Sequence, residues 1–342
     1  MSAAADVGDR FRSFVSSLPQ GSRVAVVGHS DVDGLAATTI TCRAFEHSGH
    51  TVWPYVTKKG ENAWSQTVLD QVLAAGVNAL AIVDLGSRAD PLLPKIPSVL
   101  VDHHKPTGVP DGAVLITGYG LEPTPSSGLL TLWCAQSLGA ADGLEWLAAA
   151  SMMADYGDAN AFPETRKGAK AVGLANLRRI TTLLNSPRRT ATGDANPALR
   201  MLLSAANASE LLQGTNEETL LAAKAEVDSA LQRARRSAPR FAGNVALILV
   251  DEGCQVHPLV AQTWRTRLRK NIVICANTGY LAGRVNFSVR TATSENLLDF
   301  LQRHRPPNAG EDYGRGHDKA TGGSLAGRDW QQFLASLGFP EG

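Results

Sequence analysis

Four segments of this sequence lead into aspartate and histidine side chains of the kind that bind metal ions. Three of the segments are short and apolar, and the fourth is a longer, alanine-rich stretch. The polar residues are His29, Asp31 and Asp33 after residues 23–27, Asp84 after residues 79–83, Asp102, His103 and His104 after residues 98–101, and Asp155 near the end of residues 143–156. Carboxylates that share one place repel one another strongly unless a cation lies between them. The pattern therefore indicates a metal site, if the fold brings the four segments together.

The chemistry of these residues favours two divalent cations. Four of these aspartates, Asp31, Asp33, Asp84 and Asp155, bring four negative charges, which two divalent ions would neutralise. Carboxylates with one or two imidazoles suit Mn²⁺, with Mg²⁺, Co²⁺ or Fe²⁺ as competitors, whereas structural Zn²⁺ prefers thiolates. Two ions about 3.5–4 Å apart would clamp the attacking and leaving oxygens of a phosphoryl transfer and lower the pKa of a bridging water. The expected metal ligands are His29, Asp31, Asp33, Asp84, His103 and Asp155.

Catalytic roles are expected for Asp84, His103, His104 and Asp155. Asp84 is the best candidate to bridge the two ions. His104 is either a metal ligand or a residue that orients a ligand or faces the substrate. Asp158 competes with Asp155, and Asp155 is favoured because it continues the buried helical pattern.

The elements that must position these residues are strands and helices in alternation. Strands are expected at 23–27, 51–56, 79–86 and 98–104, with helices between the early strands and again at 143–156; Ser126 or Ser127 could cap a helix that begins near Gly128. Such alternation predicts an α/β fold with a doubly wound, mainly parallel sheet. Because ligands bind outside the carboxyl ends of the strands in such a sheet, the polar clusters should lie at one edge.

The second half of the sequence predicts a smaller α/β domain. We expect a metal-binding catalytic domain at 1–195, a helical linker at 196–240 and a substrate-binding domain at 241–342, with the active site in the cleft between the domains. The strands of the second domain are expected at 245–250, 271–277 and 283–291, followed by a glycine-rich turn at 313–325. Residues 263–270 place basic side chains beside a tryptophan, which is typical either of a solvated helix face or of a surface that follows a nucleic-acid backbone.

Composition agrees with a two-domain cytoplasmic enzyme. The chain has 342 residues, of which 44% are hydrophobic, and this is enough for two cores. No apolar run approaches the roughly 18 residues of a membrane span, and no secretory signal is evident. The four cysteines are widely spaced, which predicts reduced, mainly buried thiols. Residues 1–185 carry a net charge of −3 and the remainder +4, which suits cations in the first half and an anion in the second.

The four clusters, in order, resemble the motifs of the DHH/DHHA1 phosphoesterase superfamily. Residues 29–34 look like its HxDxDG motif, Asp84 like its lone strand-end aspartate, residues 102–104 like the DHH signature, and Asp155 like its helix-borne aspartate. The histidine stands two residues before the first aspartate, as in RecJ-like nucleases and one nanoRNase group. Family II pyrophosphatases space that histidine four residues ahead, so the resemblance points away from them.

The second half resembles the DHHA1 domain of the same superfamily. Residues 286–290 (NFSVR) look like its strand with a substrate-binding arginine, and residues 314–317 (GRGH) look like its GGGH turn, in which an arginine replaces one glycine. The resemblance implies substrate binding by His104, Arg290, Arg315, Gly316 and His317. Exposed glycine amides can also wrap an anion, and an arginine can fork onto a phosphate, independently of any resemblance.

These observations predict a Mn²⁺-dependent phosphodiesterase, an exonuclease that degrades single-stranded or short oligonucleotides to mononucleotides with a metal-activated water. The alternative is a phosphoesterase for small substrates: cyclic dinucleotides, 3′-phosphoadenosine 5′-phosphate or polyphosphate. The lack of an evident extra domain for long DNA favours short substrates. A binding protein without activity should have lost metal ligands, and none is missing here. The expected partner is nucleic acid as substrate, with no membrane partner; a homodimer stays open.

Overall fold

The computed structural model describes residues 2–310 and 313–340, with the backbone alone at Arg315. The chain divides into two compact units. Unit 1 comprises Met1–Arg188 and Asp194–Ala222, and unit 2 comprises Arg189–Gly193 and Ala223–Gly342. The predicted domain limits, and a cleft between the domains, stay predictions.

Unit 1 is built around a five-stranded parallel sheet in the order β2-β1-β3-β4-β5. Its strands are β1 (Arg23–Gly28), β2 (Thr51–Val56), β3 (Ala79–Val83), β4 (Ser98–Asp102) and β5 (Val114–Thr117). Its helices are α1 (Ala3–Ser17), α2 (Val32–His47), α3 (Gln66–Ala74), α4 (Ser127–Ser137), α5 (Glu145–Tyr156), α6 (Pro163–Val172), α7 (Leu174–Leu184) and α8 (Asn196–Ser204). Apolar cores lie on both faces of the sheet, so the predicted doubly wound α/β fold is confirmed.

Close packing of α2 on β1 brings the first polar cluster to the edge of the sheet. At Gly28 a Cβ atom would lie 1.9 Å from Oγ1 of Thr38, so only glycine allows the helix to approach the strand this closely. Asp31 is the N-cap of α2, and its side chain accepts a hydrogen bond from the backbone N–H of Gly34 at 3.1 Å. The chain therefore leaves the strand, turns and enters the helix within a few residues.

Helices α2, α4 and α5 pack against one another, and all three are largely buried. Ser126 caps α4, as predicted, and its hydroxyl accepts a hydrogen bond from the N–H of Leu129. The apolar pattern at 143–156 corresponds to α5, which begins two residues later than predicted. The amino end of α4 thereby faces the same edge as the first polar cluster.

Unit 2 contains a six-stranded mixed sheet in the order β10-β11-β9-β8-β7-β6. Its strands are β6 (Arg240–Ala242), β7 (Val245–Val250), β8 (Ile272–Leu281), β9 (Arg284–Thr291), β10 (Arg315–His317) and β11 (Ala320–Ala326). Its helices are α10 (His257–Arg267), α11 (Leu297–Arg303) and α12 (Gly327–Ser336). The three predicted strands are present, and the mixed sheet forms a second α/β unit.

The segment predicted as a glycine-rich turn at 313–325 is instead mostly a pair of strands, β10 and β11. Gly322 explains why glycine is compatible with a strand here. A Cβ atom at Gly322 would lie 2.4 Å from the carbonyl oxygen of Phe287 on the neighbouring strand β9. The glycines therefore allow close backbone approach within a sheet, which a sequence pattern does not distinguish from a turn.

The segment predicted as a helical linker is divided between the two units. Helix α8 packs on α2 and β2 in unit 1. The long helix α9 (Gly214–Ala234) starts in unit 1 and ends in unit 2. The four cysteines are buried free thiols, as predicted. Across residues 2–310 and 313–340, no helix has the length and apolar character required to cross a membrane.

Candidate functional site

The predicted metal ligands of unit 1 meet where the order of the parallel strands changes direction. The chain passes from β1 to β2 on one side and later to β3 on the other, so the switch point lies between β1 and β3. His29 follows β1 and Asp84 follows β3, and the N–H of His29 donates to the carbonyl of Val83 at 3.3 Å. Ligands bind at such switch points in open α/β sheets. The position alone therefore makes this edge a candidate site.

Among the residues that the structure describes, three overlapping sets of side chains could each hold a metal ion, and within each set the ligand atoms lie within 4.8 Å of one another. The sets are His29, Asp31 and Asp84; Asp84, His103 and His104; and Asp33, His103 and Asp155. Asp84 and His103 each belong to two sets. All six side chains that the sequence proposed as ligands are thus brought together, and His104 joins them. Their assignment as ligands is a proposal.

Asp84 lies at the centre of this cluster. Its carboxylate oxygen Oδ2 lies 3.6 Å from Nδ1 of His29, and Oδ1 lies 3.6 Å from Nε2 of His103. The two oxygens therefore face different imidazoles. Asp84 is 3% exposed and has a φ of 60°, in the left-handed region that costs a residue with a side chain energy. The surrounding structure therefore holds Asp84 in a backbone conformation that is unfavourable for an isolated chain.

In the first cluster, two nitrogen-bearing side chains lie close to the carboxylate of Asp31. Nδ1 of His29 lies 2.9 Å from Oδ2 of Asp31, and Nη2 of Arg188 lies 4.0 Å from the same oxygen. Burial raises the pKa of Asp31, but the charge and hydrogen bond of His29, with Arg188, outweigh it and hold the pKa well below its ordinary value. Arg188 was not singled out by the sequence, because no pattern connects it with a residue as distant along the chain as Asp31.

His103 points one ring nitrogen at the carboxylates and the other at a tyrosine. Nε2 lies 3.5 Å from Oδ2 of Asp155 and 3.8 Å from Oδ2 of Asp33. Nδ1 lies 2.9 Å from the hydroxyl oxygen of Tyr156, the residue that ends α5. Burial is the main cause that lowers the pKa of His103, which favours the neutral imidazole that metals bind.

His104 is held by Asp102. Oδ1 of Asp102 accepts hydrogen bonds from the N–H of His104 at 2.6 Å and from its Nδ1 at 3.1 Å, while Oδ2 accepts from the N–H of Gly86 at 2.7 Å. Burial disfavours the charged ring of His104, but the hydrogen bond and charge of Asp102 outweigh it and raise the pKa. Asp102 therefore organises the loop, and the Nε2 atom of His104 remains for another group.

Asp33 is fully buried and held on three sides. Its Oδ2 accepts from the N–H of Ser127 at 2.9 Å, and its Oδ1 accepts from the N–H of Gly128 and the hydroxyl of Ser151, each at 2.6 Å. The sequence suggested only that a serine near 126 caps a helix. It missed the contacts to Asp33, since they join residues from distant parts of the chain.

Asp155 and Asp158, near the end of α5, are the two candidates for the same metal ligand. Asp155 lies among the ligand sets, whereas Oδ1 of Asp158 accepts hydrogen bonds from the backbone and side-chain nitrogens of Asn160 at 2.8 and 3.1 Å. Asp158 thereby stabilises its own turn. The preference for Asp155 as a metal ligand is consistent with this geometry and stays a proposal.

The electrostatics of the cluster fit a divalent cation. Burial, followed by the charges of Asp33 and Asp31, raises the pKa of Asp84 well above its ordinary value. The same causes raise the pKa of Asp155 well above its ordinary value. Carboxylates crowded to this degree favour bound protons or bound cations. Carboxylate and imidazole ligands suit Mn²⁺ or Mg²⁺ better than the thiolate ligands of a closed site do.

In unit 2, two of the predicted substrate-binding residues lie in one row of the sheet. Arg290 pairs with Ala320 of β11, which pairs with His317 of β10. Directly paired residues of antiparallel strands point to the same face, so Arg290 and His317 share a face. Nη1 of Arg290 donates to the hydroxyl of Ser288 at 3.0 Å and to the carbonyls of Val289 and Thr321.

The neighbouring predicted residues are Arg315 and Gly316. The side chain of Arg315 lies outside the described part of the chain, and its backbone pairs with Gly322. Gly316 has a φ of 131°, and a Cβ atom there would lie 2.4 Å from the carbonyl oxygen of Ala320. Glycine is therefore needed at 316, as a tight backbone approach requires.

The basic stretch at 263–270 occupies the end of α10 and the residues after it. The guanidinium of Arg267 lies 5.4 Å from the ring centroid of Trp264, and Nε of Arg265 donates to the carbonyl of Thr291 at 2.9 Å. Two of its basic side chains thus already have partners within unit 2.

Part of unit 1 matches a known protein family. Residues 23–145 match the model of the DHH family, N-terminal domain. This segment is a DHH domain. It contains β1 to β5 and α2 to α4, and with them the first three polar clusters. Members of the DHH family are metal-dependent hydrolases, and the DHH domain here holds a cluster able to bind metal.

Solved structures share the fold over nearly the whole chain. Exonuclease RecJ bound to manganese matches with a TM-score of 0.70 and 20% identity, over 98% of this chain and 95% of that chain. RecJ in complex with Mn²⁺ from Thermus thermophilus matches with a TM-score of 0.69 and 20% identity, over 99% of this chain and 55% of that one. This chain thus spans about half the length of the Thermus thermophilus RecJ.

A third solved structure shares the fold with a lower TM-score. An exopolyphosphatase-related protein from Bacteroides fragilis matches with a TM-score of 0.51 and 12% identity, over 98% of this chain and 96% of that chain. At these identities the likeness concerns the fold. The search of curated proteins finds no significant match.

Proposed function

We propose that this protein hydrolyses phosphodiester bonds of single-stranded or short oligonucleotides, releases mononucleotides, and uses two Mn²⁺ ions held by side chains of unit 1. The observation that carries the proposal is the sharing of Asp84 and His103 among the three candidate ligand sets. A carboxylate has two oxygens and could serve two ions bound next to each other, and Asp84 presents its two oxygens to different imidazoles. The proposed ligands are His29, Asp31, Asp33, Asp84, His103 and Asp155.

Divalent ions in this position would supply Lewis-acid polarisation of a phosphoryl oxygen and a lowered pKa for a coordinated water. Proton transfer is assigned to a side chain of the cluster. Asp102 fixes Nδ1 of His104 at 3.1 Å and leaves its Nε2 to donate a proton to the leaving oxygen. The hydrogen bond and charge of Asp102 raise the pKa of His104, which favours the protonated ring that such a transfer needs.

Phosphate binding outside the metal cluster is assigned to unit 2. Arg290 and His317 share one face of the sheet two strands apart, at about 10 Å. A guanidinium can bind two phosphate oxygens in a fork, and an imidazole can donate to a third. Arg315 and Gly316 are proposed to complete this anion-binding surface, and His104 is proposed as a further substrate-binding residue.

The likeness to RecJ over the whole length supports an oligonucleotide substrate, since both units share that fold. The alternative is a small substrate: a cyclic dinucleotide, 3′-phosphoadenosine 5′-phosphate or polyphosphate. The match to an exopolyphosphatase-related protein favours this alternative. Its fit is poorer than that of RecJ, with a TM-score of 0.51 against 0.70.

The test is incubation with 5′- and 3′-labelled RNA and DNA oligomers of graded length in Mn²⁺ and, separately, in Mg²⁺, with the products resolved by length. Asp84→Asn protein serves as the control for contaminating nucleases. We expect Mn²⁺-dependent release of mononucleotides, with the preferred length showing whether dimers to pentamers or longer strands are the substrate. Turnover confined to cyclic dinucleotides, 3′-phosphoadenosine 5′-phosphate or polyphosphate would replace the proposal by its alternative.

A further inference from the structure

We propose that Ser127 is a positioning residue that holds Asp33 and Asp84 in a fixed relative orientation. The inference rests on the proposed function, because the orientation matters for activity only if these carboxylates bind the ions. Ser127 is the first residue of α4 and is fully buried. It is 94 residues from Asp33 and 43 residues from Asp84 along the chain.

The two hydrogen-bond donors of Ser127, its backbone N–H and its hydroxyl, contact the two carboxylates separately. The backbone N–H donates to Oδ2 of Asp33 at 2.9 Å, and the hydroxyl donates to Oδ1 of Asp84 at 2.9 Å. A single rigid residue thus connects the carboxylate that follows β1 with the carboxylate that follows β3. Since the hydroxyl of Ser127 has one hydrogen to donate, that donor is committed to Asp84.

The hydrogen bond to Asp84 determines the plane of its carboxylate. With Oδ1 held by Ser127, this oxygen lies 3.6 Å from Nε2 of His103, and Oδ2 is turned toward Nδ1 of His29 at 3.6 Å. Rotation of the carboxylate about its last bond would change both distances together. Without the hydroxyl, Asp84 could rotate, and its two oxygens would no longer face His103 and His29.

The remaining partners of Asp33 show that the approach of α4 is built into the packing. The N–H of Gly128 and the hydroxyl of Ser151 both donate to Oδ1 of Asp33. A Cβ atom at Gly128 would lie 2.6 Å from Oγ of Ser151 and 3.2 Å from Oδ1 of Asp33, so glycine is required there. Ser126 and Ser151 join their hydroxyls by a further hydrogen bond.

The direction of α4 adds to the effect of these bonds. The amino end of a helix carries a partial positive charge and N–H groups without partners inside the helix. Two of those N–H groups, from Ser127 and Gly128, go to Asp33. Substitution of the Ser127 side chain leaves both backbone donors in place, so it separates the orientation of Asp84 from the anchoring of Asp33.

The experiment compares Ser127→Ala and Ser127→Thr with a control on the same helix. Ser137→Ala is that control, because Ser137 also donates its hydroxyl, at 2.7 Å, but to the carbonyl of Cys134 at the other end of α4. Mn²⁺ binding by titration calorimetry, the exchange-coupled Mn²⁺ signal in electron paramagnetic resonance, and kcat and KM are measured for each. Groups that orient metal ligands are worth about 10–100-fold in metal affinity or activity.

We expect Ser127→Ala to weaken Mn²⁺ binding or lower kcat by about 10-fold or more, to reduce the exchange-coupled signal and to leave KM nearly unchanged. Ser127→Thr, which keeps the hydroxyl, should restore most of the loss, and Ser137→Ala should match the wild type. If Ser127→Ala fails to fold, Ser127→Cys takes its place, because a thiol keeps the volume but donates weakly.

The outcomes separate this inference from the proposed function. A wild-type protein that binds Mn²⁺ and turns over substrate, together with a folded Ser127→Ala protein of equal affinity, coupling and kcat, overturns the positioning role alone. A wild-type protein that binds no divalent ion and hydrolyses no phosphodiester overturns the proposed function, and the positioning role with it.

Discussion

The hydroxyl oxygen of Tyr156 lies 2.9 Å from Nδ1 of His103. This contact occupies one ring nitrogen and leaves Nε2 facing Asp33, Asp84 and Asp155. A partner on the far nitrogen fixes the orientation of a metal-binding imidazole and the position of its proton. Tyr156 follows Asp155 directly, so one turn at the end of α5 supplies both a proposed ligand and the support of another.

Tyr156→Phe should weaken Mn²⁺ binding modestly. The loss of one hydrogen bond of about 1 kcal/mol corresponds to roughly a fivefold loss in affinity. Titration calorimetry measures it, and Tyr119→Phe, at an exposed tyrosine on the same unit, is the control. Equal affinities of Tyr156→Phe and wild-type protein would show that His103 needs no such support.

Asp84→Asn should abolish turnover while the protein stays folded. Asparagine has nearly the same shape and tolerates the left-handed backbone at this position, but it lacks the charge that a bridging ligand needs. A loss of several kcal/mol of metal-assisted stabilisation corresponds to a drop in kcat of about a thousandfold or more. The measurement is Mn²⁺-dependent hydrolysis together with circular dichroism; normal activity in the folded variant would place the site elsewhere.

The two aspartates near the end of α5 should differ in the effect that substitution by asparagine has on kcat. Asp155→Asn removes a carboxylate that faces His103 at 3.5 Å and should reduce Mn²⁺ binding and kcat by at least about tenfold. Asp158→Asn keeps an oxygen that can accept from Asn160 and should retain wild-type kcat. A reversal of this order would make Asp158 the functional residue.

The affinity for Mn²⁺ should rise with pH. The pKa values of Asp84 and Asp155 are raised, mainly by burial, so the metal-free fold favours their protonated forms. Their contribution to the stability of the metal-free protein is present below the unfolded value of 3.8 and is lost as pH rises through the raised values. Mn²⁺ competes with these protons, so the ion should bind more tightly at higher pH.

Thermal unfolding with and without Mn²⁺, from about pH 5.5 to about pH 8, tests this pH dependence. We expect the increase in Tm on addition of Mn²⁺ to grow with pH in the wild type. The double variant Asp84→Asn, Asp155→Asn removes both titrating groups and should show little growth. An increase in Tm that is independent of pH in the wild type would contradict the proposed proton competition.

Arg290→Gln should raise KM and leave Mn²⁺ binding unchanged. A hydrogen bond to a charged group contributes about 1.5–3 kcal/mol, which corresponds to a change in KM of roughly 10–100-fold. Arg328→Gln, at an exposed arginine on α12 of the same unit, is the control. Because Nη1 of Arg290 also bonds to the carbonyls of Val289 and Thr321, a measurement of Tm must accompany the kinetics. An unchanged KM in the folded variant would remove Arg290 from the substrate surface.

The sequence predicted β1 to β4 and the polar edge of the sheet because both depend on local patterns, whereas β5 was not predicted. Apolar runs such as 79–83 are strands, and in a parallel sheet their carboxyl ends must meet at one edge. The ligand candidates follow directly from that rule. The amino end of α4 was also predictable, since a serine cap is a local feature.

The supporting residues could not be predicted because their contacts are set by packing between distant segments. Ser151 and Asp33 are 118 residues apart, and Tyr156 and His103 are 53 apart. No periodicity or spacing connects such pairs. The strands β10 and β11 were missed for a related reason: glycine-rich sequence indicates backbone freedom, and the close approach to Phe287 that uses it exists only in the folded sheet.

The backbone of Asp84, with a φ of 60°, has a consequence for directed evolution of this protein. Glycine or asparagine would adopt this conformation at a lower energetic cost than aspartate does. Selection for heat resistance alone should therefore enrich both residues at position 84, and the hydrolytic activity should disappear from those clones. Asp84 thus lowers the stability of the fold and supplies a carboxylate that the proposed reaction needs. Libraries selected for thermostability must therefore be screened for turnover as well.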